Sequence, residues 1–431
     1  MNKYLTIRNK KIQIYDILLF VIYSFIFGYF ILQPAIYSPD TNSYWHLNVN
    51  RYPGYVIFLR TFDFIFKDYF DLAIVGFQLL LTLFSIHTFQ KNISDLLNVN
   101  LLVKSILLLI LVFPLFSPLL TANNLCSEGL SYPFYLLLIS YSIDFLFRNE
   151  SRKIYWLIIA YVLLALTRGQ FAVVIPIVIL IFILKEKKNI LLKKNLKYLL
   201  LLLLVPLLTN MLDSTYRKLV HGYFITTPFS YVNALTLPLY LSEEKDEDLF
   251  TDHPDQRVLF QKTYKRIDSL GLLSSKVEGT SKDQYELFHN NFPYICNQSF
   301  HNLGAKHFYE KDGITFKNYI DTEFAAKAMF PILLKAHFKE WVTLYSISVL
   351  RGYYSIFIFI FFVLVSIYSG WQSLKRFTLD NGLTFMASLL LLANSLLVAV
   401  AVHTIMRYTF YNFALGFIIL IILSKKLTSK V

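Results

Sequence analysis

Apolar residues run along this chain in long blocks, parted by short polar connections. About ten blocks stand out: Ile14 to Leu32, Leu72 to Phe89, Leu101 to Leu120, Leu130 to Phe147, Ile154 to Thr167, Phe171 to Leu184, Tyr198 to Leu212, Tyr353 to Trp371, Leu383 to Val402 and Tyr408 to Leu423. Crossing about 30 Å of hydrocarbon takes roughly twenty helical residues, because in lipid each backbone N–H and C=O must be satisfied within its own segment. The pattern predicts an all-α polytopic membrane protein with about ten transmembrane helices. The fifth and sixth blocks are short, and the boundary between them is the least defined.

The polar connections set an orientation. Lys3, Arg8, Lys10 and Lys11 precede the first block, and Arg148, Arg152 and Lys153 follow the fourth. Lys185, Lys187, Lys188, Lys193, Lys194 and Lys197 follow the sixth, Lys375 and Arg376 the eighth, and Lys425, Lys426 and Lys430 close the chain. Every second connection is basic, and cytoplasmic connections are the ones that retain Lys and Arg. Both termini are therefore expected in the cytoplasm, and the first connection, 33–71, on the opposite side.

One connection, Asp213 to about Arg351, is too long for a simple loop. Helical periodicity runs through RVLFQKTYKRIDSL and DTEFAAKAMFPILLKAHFKEWVTLYSISVL, and an acidic stretch, SEEKDEDLFTDHPDQ, reads as solvated surface. The expectation is an N-terminal membrane portion (1–212), a mostly helical extracytoplasmic domain (213–351) and C-terminal membrane helices (352–431).

Composition agrees with lipid as the solvent. Of 431 residues, 56% are hydrophobic and only 16% charged, with mean hydropathy +0.50, where a soluble domain carries about a quarter charged. A net charge of +13 would suit nucleic acid, but these cations lie in juxtamembrane turns, where each gains about 1 kcal/mol from anionic lipid. Membrane lipids, not nucleic acid, are the expected partners. The first block is too long for a signal-peptide core and lacks a small-residue cleavage site, so it reads as an anchor. Cys126 and Cys296 are assigned no redox or metal role; a bridge between them is conceivable, and packing as a small apolar residue is the simpler reading of Cys126. Asp144 has Arg148 one helical turn away as a partner, and Asn394, polar near a block centre, reads as an interhelical hydrogen-bonder. No repeat relates the two halves, and charges within blocks sit near the ends, which argues against a transporter with a midplane site.

Four stretches carry the residue types that acid–base and phosphate chemistry need. In SPDTNSYWHLNVNRYPGYVIF (38–58), Asp40 can take a proton from a hydroxyl and Arg51 can hold a phosphate through its planar fork. Pro53 and Gly54 enforce a turn and permit close backbone approach, with Tyr44 and Tyr55 beside it. The structural alternative has Ser38 or Asp40 capping a short helix and Arg51 reaching to head groups. In NNLCSEGLSYPFYLLL, Glu128 opens the fourth block, either capping it with Ser127 or orienting an acceptor or a bound cation. In ALTRGQFAVVIPIVIL, Arg168 has no acid nearby in sequence; a phosphate would relieve the cost of its charge near hydrocarbon, and reaching to head groups is the alternative. In VHTIMRYTFYNFALGFIIL, His403 and Arg407 are four apart, on one helical face. That pair suits phosphate better than a metal, with His403 as a structural hydrogen-bonder the alternative.

In their order and membrane side these residues resemble the GT-C glycosyltransferases, in particular the branch containing protein O-mannosyltransferases and the bacterial aminoarabinose transferase of lipid A. In that family an Asp in the first outer loop precedes an Arg-x-Pro-Gly-Tyr segment, as Asp40 precedes Arg51, Pro53, Gly54 and Tyr55 here. A Ser-Glu begins the fourth span, matched by Ser127 and Glu128. A Leu-x-Arg-Pro turn follows the fifth, matched by Leu166 and Arg168, and an Arg-Tyr pair opens the last, matched by Arg407 and Tyr408. The chain departs from the pattern at Gly169, where Pro is frequent, after Tyr408, where no Pro follows, and in the first outer loop, where Asp40 stands without the adjacent second acid that many members carry.

The resemblance implies a GT-C-like fold and inverting transfer of a sugar from a polyprenyl-phosphate-linked donor to a lipid, glycan or protein acceptor. It implies Asp40 as general base, Glu128 orienting the acceptor, and Arg51, Arg168 and Arg407 clamping the departing phosphate, with His403, Tyr44, Tyr55 and Tyr408 lining the same site. No metal ligand set is assigned; a divalent cation is the one cofactor left open. Topology points to a bacterial inner membrane with a periplasmic site or, by analogy, to a lumen-facing site in a eukaryote, and composition leans toward the bacterium. Two other classes compete: an O-antigen-type polymerase or ligase, whose essential cations would lie in the large outer loop, and a transporter or flippase.

Overall fold

The computed structural model of the chain describes residues 4–7 and 10–428, with side chains from Tyr15 onward. Lys3, Arg8 and Lys430, used above for orientation, lie outside the described residues. A short antiparallel hairpin pairs Tyr4–Ile7 with Lys10–Gln13; beyond it the described residues form helices and their connections. By compactness the chain divides into two units, one of residues 1–48 and 52–169, the other of 49–51 and 170–431.

The first unit holds α1 (Ile14–Ile31), α2 (Pro39–Trp45), α3 (Pro53–Phe66), α4 (Phe70–Leu97), α5 (Leu101–Val112), α6 (Glu128–Phe147) and α7 (Lys153–Ala165). Helix α6 is its axis, buried on nearly every side between α4 and α7. Its interior polar groups are satisfied locally: the Ser140 and Ser142 hydroxyls donate to carbonyls one turn back, and Asn92 of α4 donates to the Ser140 carbonyl at 2.9 Å. Asp144 pairs with Arg148 (3.6 Å), as its spacing predicts, and also with Lys153.

The second unit holds α8 (Val174–Glu186), α9 (Lys193–His221), α10 (Ser230–Leu241), α11 (Pro254–Ser269), α12 (Ser281–Pro293), α13 (Asn302–Asp312), α14 (Lys317–Ala336), α15 (Phe338–Arg351), α16 (Ile356–Lys375), α17 (Leu379–Ala401), α18 (Met406–Thr409) and α19 (Asn412–Thr428). Helices α10 to α15 share one hydrophobic core that includes Tyr240, Phe260, Tyr285, Phe300 and Met329, so the long connection is helical, as expected. Asn394 of α17 makes the interhelical contacts its position predicts, donating to the Tyr408 carbonyl (3.0 Å) and accepting from Gln170 (3.2 Å).

A helix stands at each of the ten apolar blocks, but six of the described helical stretches are long and apolar enough to cross a membrane: Pro53–Leu97, Glu128–Phe147, Gly169–Leu191, Lys193–His221, Ile356–Lys375 and Leu379–Ala401. The others fall short for physical reasons. Helix α7 has 13 residues and rises only about 20 Å, and α5 tightens into a short turn at Phe113 and Pro114. The apolar stripes of α9 (Leu200, Leu203, Leu204, Leu207, Leu208, Met211) and α16 (Phe357, Ile360, Leu364, Ile367, Tyr368, Trp371) lie exposed, a surface that soluble monomers avoid.

One boundary and one burial differ from the sequence reading. The block expected to end at Leu212 continues as α9 to His221, where Gly222 closes it with left-handed backbone, so Asp213 lies inside a helix rather than opening a domain. The acidic run is also not all solvated. Asp246 is buried, accepting from the Glu243 N–H and bonded to His337 at 2.6 Å, where α14 gives way to α15.

Candidate functional site

In the first unit the chain leaving α1 is stitched to the segment ahead of α6. The Ile36 N–H donates to the Asn123 carbonyl, the Leu125 N–H to the Ile36 carbonyl, both at 2.9 Å, and the buried Thr41 hydroxyl to the Leu125 carbonyl at 2.8 Å. Helix α2 starts on Pro39 with Ser38 in extended conformation at its N-cap, and the Ser38 side chain makes no capping bond. Asp40 stands half-buried in its first turn, its carbonyl accepting from the Ser43 hydroxyl at 2.6 Å.

The Tyr52-Pro53-Gly54 turn then packs on the turn after α7. The Gly54 N–H donates to the Leu166 carbonyl at 2.7 Å, and a Cβ on Gly54 would stand 2.8 Å from that oxygen. A Cβ on Gly169 would stand 2.0 Å from the Tyr52 hydroxyl oxygen. Both glycines are present because backbone and ring approach too closely for any side chain, which also gives the departure from a Leu-x-Arg-Pro pattern at Gly169 a steric reason.

This contact brings the expected acid and cation together. Arg168 forms an ion pair with Glu128, their side chains 12% and 3% exposed. Arg168 therefore has a carboxylate partner from a distant part of the chain, and the expectation of an isolated charge is corrected: folding supplies what local sequence lacks. Ser127 makes no capping bond, whereas the Cys126 thiol donates to the other Glu128 oxygen at 2.8 Å. Beneath the pair, Tyr55 is fully buried, donates to Gln78 at 2.9 Å and meets the Tyr44 ring edge-on at 4.9 Å. Gln78 lies so close to Gly129 that a Cβ there would meet its oxygen at 2.4 Å. Its polar amide between Phe77 and Leu79 is the sequence signal that marks it.

The remaining expected residues belong to the second unit. Arg51 is half-buried, and its carbonyl accepts from the guanidinium of Arg217, a fully buried side chain of α9. Arg217 is also bonded to Thr227 at 2.7 Å and paired with Asp213 at 3.6 Å, and Asp213 accepts from the Thr227 N–H at 2.6 Å. The periodicity of Asp213, Arg217 and His221 along one helical face is the signal for this cluster. His403 and Arg407 do not share a helical face, because α17 ends at Ala401 and α18 begins at Met406. His403 packs edge-on to His289 (5.0 Å) and on Phe292 (4.6 Å). Burial, with His289 and Arg351 alongside, holds its ring down to about 4, so it carries no charge for a phosphate at neutral pH. Arg407 and Tyr408 are half-buried in the one-turn α18, ahead of the last long helix rather than opening it.

Cys126 and Cys296 are both buried and free. Among the described residues no group of three or more His, Cys, Asp or Glu is placed to hold a metal ion. No family model, curated protein or solved structure matches the chain.

Proposed function

We propose that the chain is an integral-membrane glycosyltransferase of GT-C type that moves a sugar from a polyprenyl-phosphate-linked donor to an acceptor hydroxyl on the outer face of a bacterial inner membrane. The observation that carries this reading is the convergence, within one compact unit, of three stretches far apart in sequence. The loop with Asp40 and Tyr55, the Cys126–Glu128 segment and the Arg168 turn are joined by backbone contacts and by one buried ion pair.

In the proposed reaction the acceptor oxygen attacks the anomeric carbon as its proton passes to Asp40, and the bond to the phosphate oxygen breaks with its electron pair leaving on the phosphate. One base and no covalent nucleophile give inversion. Cationic side chains stabilise the departing phosphate. The Glu128–Arg168 pair is neutral overall and serves to fix the loop and orient the acceptor rather than to bind the phosphate.

The test follows loss of sugar from a panel of polyprenyl-phosphate sugars in liposomes, comparing wild type with Asp40→Asn. Turnover by wild type, with a fall of about 10²-fold or more in a folded variant that still binds donor, is the expected result. Equal turnover in both removes Asp40 from the mechanism, and no consumption of any donor by wild type ends the transferase reading.

A further inference from the structure

Helices α8, α16 and α17 of the second unit lie in three of the stretches long and apolar enough to cross a membrane, and they do not close on one another along their whole length. Helix α8 packs along α17 more than along α16. Between them runs a groove of about 280 Å³, lined by Leu180 and Leu184 of α8, Ile367, Gly370 and Leu374 of α16, and Phe385 of α17. Glycine at 370 lets the Phe385 ring lie against the α16 backbone and form part of the groove, since a Cβ there would meet the ring at 2.8 Å. The walls at Leu180, Ile367 and Leu374 are exposed.

One end of this apolar groove is built from cations. Leu184 is followed by Lys185, and Leu374 by Lys375 and Arg376. The Lys187 amine closes this end, donating to the carbonyls of Leu374 at 2.9 Å and Lys375 at 3.4 Å. Lys187 itself sits at φ 47°, a conformation rare outside glycine. Two carbonyls take up two of its three donors and cancel none of its charge. The Lys375 amine stands 3.6 Å from the centre of the Trp371 ring. Trp371 and Tyr368 are exposed, and such rings settle at the level of lipid head groups. The neighbouring acid, Glu186, is engaged by Lys185 at 3.7 Å and Asn195 at 2.9 Å. The groove thus ends where positive charge gathers at head-group depth.

We propose that this groove binds one anionic phospholipid, with an acyl chain along Leu180, Ile367 and Leu374 and the phosphate held by Lys187 and Lys375. Lipid tails are as apolar as leucine, so seating a chain selects no lipid by itself. The phosphate does, through charge-assisted hydrogen bonds from the two ammonium groups, and exposed Lys188 and Arg376 at the same end strengthen the field. A defined site of this kind goes beyond the general attraction of basic turns to an anionic surface. On the orientation expected from the basic connections it opens to the cytoplasmic leaflet, opposite the proposed transfer site, so it holds a resident lipid and not the sugar donor. The proposal does not depend on the transferase reading.

The experiment titrates the full-length protein in micelles with phosphatidylglycerol or phosphatidylcholine of the same acyl chains and counts retained lipid by native mass spectrometry. The expected result is one phosphatidylglycerol bound about tenfold or more tighter than phosphatidylcholine. Lys187→Gln and Lys375→Gln are each expected to weaken phosphatidylglycerol about fivefold and to leave phosphatidylcholine unchanged, whereas Leu180→Trp, which narrows the groove from one wall, weakens both. Equal retention of the two lipids by wild type overturns the role of the cations. A preference for phosphatidylglycerol that Leu180→Trp leaves intact overturns the groove and leaves only diffuse attraction to basic turns. Displacement of phosphatidylglycerol by a lower concentration of short-chain polyprenyl monophosphate gives the groove to the donor and overturns the proposal too. Should Leu180→Trp not fold, phosphatidylglycerol with a photoactivatable acyl chain tests wild type: crosslinks at Leu180, Ile367 and Leu374 uphold the site, and crosslinks spread along α9 overturn it.

Discussion

At the residue scale, the Glu128–Arg168 pair is the contact on which the first unit's proposed site depends. Its charges are almost fully covered, so removing one leaves the other desolvated and unpaired. Glu128→Gln is expected to cost about 3–5 kcal/mol, and the double variant Glu128→Gln/Arg168→Gln less than the sum of the singles, as read by thermal unfolding in micelles and a double-mutant cycle. Additive losses would mean the two side chains do not interact. The two glycines nearby give a graded test of packing. A Cβ at Gly54 meets the Leu166 backbone carbonyl, which cannot withdraw, while a Cβ at Gly169 meets the end of the Tyr52 ring, which can rotate away. Both alanine variants are expected to lose about 1–3 kcal/mol, Gly54→Ala the more. The reverse order would show that the turn, not the ring, is the soft partner.

At the element scale, the turn at Glu244–Phe250 is locked to the junction of α14 and α15 by Asp246 and His337, whose side chains are 5% and 11% exposed. The hydrogen bond to Asp246 raises His337 above 6.5, and the nearby Glu243 and Glu340 act in the same direction. Burial would raise Asp246, but the bonds from His337 and from the Glu243 N–H, with Lys245 alongside, bring it below 3.8. The stability from His337 is fully present below pH 6.5 and is lost as pH rises through its higher folded value. That from Asp246 is present above pH 3.8 and is lost as pH falls through its lower folded value. Wild type is therefore expected to be most stable, as far as this pair decides it, between about pH 4 and 6.5. His337→Gln should flatten the fall above pH 6.5, measured as melting temperature against pH; an unchanged profile would remove the pair from the stability of these helices.

Helix α9 also acts as an element. Its 29 residues rise about 44 Å, more than the roughly 30 Å of hydrocarbon, and the excess carries Asp213, Arg217 and His221. The apolar periodicity of its first half was legible. Its extension was not, because an Asp, an Arg and a His in succession read as the start of a polar domain until their partners, Thr227 and the Arg51 carbonyl, are in place.

At the scale of the whole molecule, the distribution of Lys and Arg makes a prediction about sidedness. Reporter domains inserted in the first connection, near Asn48, and in the Lys187–Lys197 connection should report opposite sides of the membrane, the second cytoplasmic. The same side for both would invalidate the alternation of basic connections and with it the outer location of the proposed site. The two cysteines, each buried and free, should give one gel mobility with and without reductant.

Sequence by itself determined the helical class, the position of a helix at each apolar block, the helical character of the long connection and the local pairs such as Asp144 with Arg148. Each of these depends on periodicity or on neighbours within a turn, which a linear pattern records. Only the tertiary structure decided which charges are compensated and which atoms are left bare. Arg168 meets Glu128, Asp246 meets His337, Arg217 holds Arg51, and the Nε2 of His301 has no bond. Those outcomes depend on contacts between residues forty to more than one hundred and sixty positions apart, and in a buried setting the partner's identity, not the residue type, sets whether a charge is costly or satisfied.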